Sequence, residues 1–202
     1  MSKTIVAIIG TYRKAGVIDT AVDEILRAAQ ADGIQTSKIF LIDNRIEFCT
    51  NCRACTQQPG PARGTCLLDD DMAEILDRLD SADALVIASP MNFYNVTAVT
   101  RKFMERLTVY AYWPWGSNIP KFRVTKRGKK AVLVTASAAP AWFGKLFYRQ
   151  ALGALKTISQ CLGAKVVVRL YFGMVAQHPD STLSKKDLVR AYDAGVKLAR
   201  SI

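Results

Sequence analysis

The sequence predicts an α/β fold: a five-stranded parallel sheet, doubly wound, with strand order 2-1-3-4-5 and helices on both faces. Three observations carry that expectation. Short, uniformly apolar and β-branched runs recur along the chain, as strands buried on both faces require. Segments with helical spacing separate these runs, so each strand leads into a crossover rather than a hairpin. The 202 residues contain no boundary, repeat or low-complexity tract that argues for a second domain, so a single domain spanning 1–202 is expected.

The first strand is read over Lys3–Ile9, closed by Gly10. After a polar loop, Ala21, Ile25, Ala28 and Ala29 lie on one helical face over Thr20–Ala31, which Gly33 terminates. Ser37–Ile42 suits a second strand, and a long irregular stretch rich in Cys, Pro and Gly follows over Asp43–Leu68. A helix over Asp70–Leu79 opens with acidic residues, which the positive end of its dipole favours. Ala84–Ala88 is the third strand, Val96–Leu107 a helix, and Trp113–Gly128 a second long loop. Strand Lys130–Thr135, helix Trp142–Leu162, strand Lys165–Phe172 and an amphipathic helix over Ser184–Arg200 complete the alternation.

Composition narrows the function classes. Half the residues are apolar, enough for a core, yet no apolar run approaches the ~20 residues of a membrane span. Ile5–Ile9 is shorter than a secretory core of roughly 7–15 residues and lacks a cleavage site, so a cytoplasmic protein is expected. The net charge of +11 is uneven: 11 basic and 14 acidic residues precede Arg106, and 17 basic and 3 acidic follow from it. Such a half implies an anionic partner. Cations and aromatics are not interleaved in a recognisable nucleic-acid pattern, so a nucleic-acid partner is not expected. The single histidine, His178, argues against a His-ligated zinc enzyme or a histidine-centred triad.

In the expected topology ligands bind beyond the carboxyl ends of the strands, where the order reverses. Three loops fall there. The first, Gly10-Thr11-Tyr12-Arg13-Lys14-Ala15-Gly16, leads from a strand into a helix N-terminus and supplies hydroxyls, cations and free amides for an anion. It matches neither GxGxxG nor GxxxxGK[ST], so a triphosphate site of the P-loop type is not indicated. An ordinary strand-to-helix turn has similar composition. The second, Ser89-Pro90-Met91-Asn92-Phe93-Tyr94-Asn95, sets amide side chains beside aromatic faces, suiting either a flat polar-edged ring or a capped turn. The third, Thr135-Ala136-Ser137-Ala138-Ala139-Pro140, is small and polar enough for a ligand to approach its backbone.

Taken together, these segments resemble the flavodoxin-like NAD(P)H-dependent FMN reductase family, including its iron–sulfur flavoprotein branch. The likeness rests on Gly10-Thr11-Tyr12-Arg13-Lys14, Ala82-Asp83 with Ser89-Pro90-Met91-Asn92-Phe93, and Cys49, Cys52 and Cys55 leading to Gly64-Thr65-Cys66 and Asp69-Asp70-Asp71-Met72. It implies a flavodoxin-like fold with FMN as cofactor and NAD(P)H as electron donor. It also implies that Thr11 and Arg13 hold the FMN phosphate while Pro90, Met91, Asn92 and Phe93 pack against the isoalloxazine ring. Lys14, Asn95, Thr135 and Ser137 are further candidate contacts. Where the family often has a polar pair before the first helix, this chain has Val17-Ile18, which leaves Thr20 as the hydroxyl candidate. The cofactor supplies the redox chemistry, so no side chain is assigned as catalytic.

Cys49, Cys52 and Cys55 at Cys-x2-Cys-x2-Cys spacing, with Cys66 ten residues on, put four thiolates within reach of one [4Fe–4S] cluster. Family members use a shorter gap before the fourth cysteine, and the intervening Pro59-Gly60-Pro61 leaves open a segment of reduced, partly buried thiols. Cys161, in helical context, reads as a core residue. The basic run Lys121–Lys130 suits an NADPH phosphate or a solvated loop. The rings of Tyr110, Tyr112, Trp113 and Trp115 suit a subunit interface or local burial. The expectation is an oxidoreductase passing electrons from NAD(P)H to a small acceptor (quinone, flavin or metal ion), acting as a homodimer or homotetramer. The alternative is an iron–sulfur flavoprotein electron carrier.

Overall fold

A computed structural model describes residues 2–124, 128–140, 148–178 and 180–202. Its central sheet contains β1 (Thr4–Ile9), β2 (Gln35–Phe40), β3 (Ala84–Ala88), β8 (Lys129–Ala136) and β9 (Ala164–Phe172). They pair in the order β2-β1-β3-β8-β9, every pairing parallel, which in chain order is 2-1-3-4-5. Helices α1 (Val17–Ala31), α2 (Met72–Ser81), α3 (Ala98–Arg106), α4 (Arg149–Cys161) and α5 (Lys185–Ala199) cover its two faces. Two antiparallel ribbons interrupt the alternation, β4 (Met91–Asn92) with β5 (Asn95–Val96) and β6 (Ala111–Tyr112) with β7 (Lys121–Phe122).

The uniform apolarity of β1 and β3 follows from burial on both faces. Alternate side chains of each strand enter different cores. Ile5, Ala7, Ile9 and Val86 pack with Ile25 of α1 and Leu198 of α5. Val6, Ile8, Leu85 and Ile87 pack with Leu79 of α2, Phe103 of α3 and Leu155 of α4. Full burial of residues such as Ile25 and Leu155 contributes about 1.5–3 kcal/mol each. Gly195 lets α5 lie close on α1: a Cβ there would meet the Ile25 carbonyl oxygen at 2.2 Å.

Boundaries depart from the expectation where pairing or capping decides them. The second strand is Gln35–Phe40 rather than Ser37–Ile42, because it pairs with β1 from Thr4↔Gln35 to Ile9↔Phe40 and Leu41–Asp43 then tightens into a 3-10 turn. Helix α1 begins at Val17 rather than Thr20, with extended Gly16 as its N-cap. Helix α3 begins at Ala98 rather than Val96, because Asn95–Val96 folds back on Met91–Asn92 and Thr97 caps the helix. Met72 rather than Asp70 opens α2, since the Asp70 carboxylate is engaged elsewhere and Asp71 becomes the N-cap. The expected loop Trp113–Gly128 contains the β7 strand, and the expected helix start at Trp142 falls outside the described residues, as do residues 125–127 of the basic run.

Candidate functional site

At the switch point between β1 and β3 lies a cleft of ≈ 400 Å³. One wall is the loop after β1 with the first turn of α1: Thr11, Tyr12, Arg13, Gly16, Val17 and Ile18. The loop after β3 contributes Pro90, Met91 and Asn92. Ala136 at the end of β8, Ser137 and Ala138 just after it, and Val175 and Ala176 after β9 close it.

Buried hydroxyls tie the first two loops together. The Thr97 hydroxyl donates to the Gly10 carbonyl (2.6 Å) and hydrogen-bonds the Thr100 hydroxyl (2.8 Å), which donates to Ser89 Oγ (3.2 Å). Gly10 is required by this closeness: a Cβ there would sit 1.7 Å from Thr100 Oγ1. The Tyr12 hydroxyl accepts the Val99 N–H of α3 at 3.3 Å. Farther round, Ala15 adopts a left-handed φ of 56° and its N–H donates to the Asp19 carboxylate at 2.7 Å. Lys38 of β2 neutralises that buried carboxylate at 2.6 Å. Gly16 gives α1 no side-chain cap, so the amides of Val17 and Ile18 bring the positive end of the helix dipole to the cleft beside Arg13.

The third loop is fixed to the end of β9. Ser137 Oγ and the Tyr171 hydroxyl are hydrogen-bonded at 2.6 Å, and Tyr171 donates to the Ala139 carbonyl at 2.9 Å. Tyr148 stacks on Tyr171 with ring centroids 4.2 Å apart. The Ser137 hydroxyl is therefore committed within the protein, as are its N–H, which donates to the Phe172 carbonyl at 2.9 Å, and its carbonyl, which accepts the Val175 N–H at 3.3 Å.

Of the residues expected at the site, the cleft brings together Thr11, Arg13, Pro90, Met91, Asn92 and Ser137. Five others lie elsewhere. Lys14 pairs with Asp43 (2.7 Å) and lies over the Phe40 ring. Thr20 is a turn inside α1, whose start moved to Val17. Phe93 is 98% exposed on the β4–β5 turn; it borders a separate outer groove together with Tyr12, Asn92, Asn95 and Arg101. Asn95 uses its side-chain oxygen to accept the Val96 N–H at 2.9 Å. Thr135 points to the opposite face of β8 from Ala136, fully buried, with its hydroxyl unpartnered among the described residues. Tyr12, Val17, Ile18, Val175 and Ala176 were not foreseen; the Val17 and Ile18 amides were legible in principle, as the first turn of a helix capped by glycine.

The cysteine segment forms a second constellation. Buried Arg106 of α3 pairs with the Asp70 carboxylate, each side chain 1% exposed. The Arg106 guanidinium also donates to the Glu47 carbonyl (2.9 Å) and to Cys66 Sγ (3.4 Å). Burial works to raise the Asp70 pKa, but hydrogen bonds from Arg106 and from the Glu47 and Met72 amides prevail and hold it below the usual carboxylate value. Arg123 clamps the carbonyls of Cys55 (3.2 Å) and Gly60 (2.9 Å). The Arg53 guanidinium lies between the rings of Trp113 and Trp115, 3.8 and 4.1 Å from their centroids.

The four thiols differ in their surroundings, although Cys49, Cys52 and Cys66 all lie near enough to Cys55 to act on its thiol electrostatically. Cys52 is exposed, Cys55 is buried, and Cys66 is engaged by Arg106 across the Pro59-Gly60-Pro61 insertion. Among the described residues no three Cys, His, Asp or Glu side chains converge as metal ligands.

Sheet and cleft together define a doubly wound α/β protein with a cleft at its switch point, where ligands of this fold class bind. The family model for NADPH-dependent FMN reductase matches residues 4–178, and the chain belongs to that family. An iron–sulfur flavoprotein of Archaeoglobus fulgidus is 32% identical over 109 residues, 54% of this chain and 47% of that protein. One of Methanosarcina thermophila is 28% identical over 102 residues, 50% of this chain and 51% of that protein. The chain thus spans about half the length of these curated relatives. Among solved structures, NAD(P)H:quinone oxidoreductase from Methanothermobacter marburgensis superposes with a TM-score of 0.68 at 18% identity, covering 98% of this chain and 96% of that one. An FMN-dependent NADH-azoreductase from Bacillus anthracis in complex with FMN gives 0.66 at 15% identity, covering 98% and 99%. At these identities the structural likeness concerns the flavodoxin-like fold.

Proposed function

We propose that residues 1–202 act as one FMN-binding domain. It would be a cytoplasmic oxidoreductase taking electrons from NAD(P)H and passing them to a small acceptor such as a quinone, free flavin or metal ion. The observation that carries this reading is the cleft itself, in which loops from the first, third and fourth sheet strands converge in a chain of the FMN reductase family. Its ≈ 400 Å³ lies within the roughly 300–1,000 Å³ of small-molecule sites.

Bound there, FMN would accept and donate the electrons. The chain's part is placement. Thr11, Arg13 and the amides of Val17 and Ile18 would hold the phosphate. Pro90, Met91 and Asn92 would meet the ring edge and face, and Ala136 and Ala138 are small enough to let the ring lie against backbone. The excess of basic residues would raise the local concentration of anionic NAD(P)H. Exposed Phe93 and Tyr94 at the rim support a homodimer or homotetramer.

Fluorescence titration with FMN tests the reading. Arg13→Ala should raise Kd about tenfold or more, as loss of a charge-assisted hydrogen bond of about 1.5–3 kcal/mol requires. Wild-type protein that binds no flavin, or an Arg13→Ala variant that binds as tightly, would refute it. The names of the relatives and the cysteine spacing favour a second reading, an electron carrier with a [4Fe–4S] cluster. Iron and sulfide analysis of anaerobically purified protein decides between the two.

A further inference from the structure

The cysteine segment lies apart from the cleft residues, and its thiols differ sharply. Cys52-Arg53-Ala54-Cys55 leads into a 3-10 turn over Ala54–Thr56. The turn is locked at the Arg53 carbonyl, which accepts the Thr56 N–H (3.0 Å), the Thr56 hydroxyl (2.8 Å) and the Gln57 side-chain amide (3.1 Å). Asn51 and Arg53, on either side of Cys52, are both left-handed (φ 55° and 61°), a strained arrangement for non-glycine residues that recurs at functional turns. Cys52 is exposed, whereas Cys55 is 9% exposed with its carbonyl gripped by Arg123. Gly64 packs against the same carbonyl: a Cβ there would meet the Cys55 carbonyl oxygen at 1.7 Å. An accessible thiol followed three residues later by a buried one, across a rigid turn, is the layout of an exchanging dithiol: one sulfur attacks and the other resolves.

We infer that Cys52 and Cys55 form a redox-active dithiol that exchanges with low-molecular-weight disulfides. The Cys52 thiolate attacks one sulfur of a disulfide RSSR. Its S–S bond breaks, a Cys52–SR bond forms, and RS⁻ leaves to be protonated by solvent. Cys55 then gives up its proton and attacks the Cys52 sulfur, expelling the second RS⁻, which takes up that proton. Overall, two cysteine thiols are oxidised to one intramolecular disulfide and the external disulfide is reduced to two thiols. The environment suits the division of roles. Cys52 stands open to an incoming disulfide, whereas Cys55 is shielded from it by burial. Cys66, held by Arg106, is less free to compete.

The test uses the reduced full-length protein with whatever flavin it carries, exposed anaerobically to glutathione disulfide and followed by intact mass and peptide mapping. Wild type should lose the mass of two hydrogens, with the bond mapped to Cys52–Cys55. Cys55→Ser should stop at a glutathione adduct on Cys52, and Cys52→Ser should lose both products. A bond mapped to another pair would overturn the inference, as would a Cys52→Ser variant that is oxidised like wild type. Thiols that resist exchange because stoichiometric iron and sulfide occupy them would overturn it too. Circular dichroism checks that each variant is folded. If buried Cys55→Ser is not, the wild-type map and the exposed Cys52→Ser variant still decide. Flavin content, read on the same samples, reports separately on the proposed cofactor site.

Discussion

Asp70→Asn isolates the buried pair that anchors the cysteine segment. The substitution keeps the side-chain shape but leaves the Arg106 guanidinium, 1% exposed, without its counter-charge. Its remaining partners are the Glu47 carbonyl at 2.9 Å, Cys66 Sγ at 3.4 Å and the neutral amide oxygen of the new side chain, none of which replaces a carboxylate. Removing one partner of a buried pair costs about 3–5 kcal/mol. That is a large share of the roughly 5–15 kcal/mol that holds a domain folded. With a urea m-value of about 2 kcal/mol/M, the midpoint should fall by about 2 M at unchanged m. Circular dichroism during urea unfolding measures it. The double variant Asp70→Asn/Arg106→Met should recover most of the loss, because the orphaned charge goes with its partner. The difference between wild type and Asp70→Asn should also depend on pH with a defined sign. The folded-state pKa of Asp70 lies below its ordinary value, so the contribution is complete above the unfolded carboxylate range, about pH 4. It is lost as pH falls through the folded-state value. A loss under about 1 kcal/mol at neutral pH, or a double variant no better than the single one, would show that the pair is not the anchor described.

Two further outcomes follow from the loop geometry. Gly10→Ala places a methyl 1.7 Å from Thr100 Oγ1 and should cost about 1–3 kcal/mol by overpacking, seen as a lower Tm together with weaker FMN binding. Tyr171→Phe removes the hydroxyl that joins Ser137 to the Ala139 carbonyl; it should cost about 1 kcal/mol in thermal unfolding and loosen FMN.

Periodicity made the sheet legible. Ala84–Ala88 was read to the residue, since a uniformly apolar strand between polar ends leaves little choice. The β4–β5 turn was not legible, because Phe93 and Tyr94 are left-handed (φ 47° and 68°) where such turns ordinarily carry Asn or Gly. At the cleft, Thr11, Arg13 and Asn92 could be read because topology alone brings their loops together. The pairing of Lys14 was not legible locally, since its partner Asp43 stands in the 3-10 turn after β2. Thr135 was misplaced by one step of strand alternation: the adjacent Ala136 and Ser137 line the cleft and it does not. The fate of the cysteines depended on Arg106, Arg123 and Arg53, whose partners lie 36 to 68 residues away in sequence.

The stacking of Arg53 between Trp113 and Trp115 gives the neighbouring turn a built-in optical reporter. Two of the three tryptophans in the chain share that sandwich, so the ultraviolet emission of the protein is weighted toward this spot. Any event that displaces residues 52–55 must move the guanidinium relative to the two indoles and change the charge beside them. The signal would be a shift in emission wavelength, with no label attached.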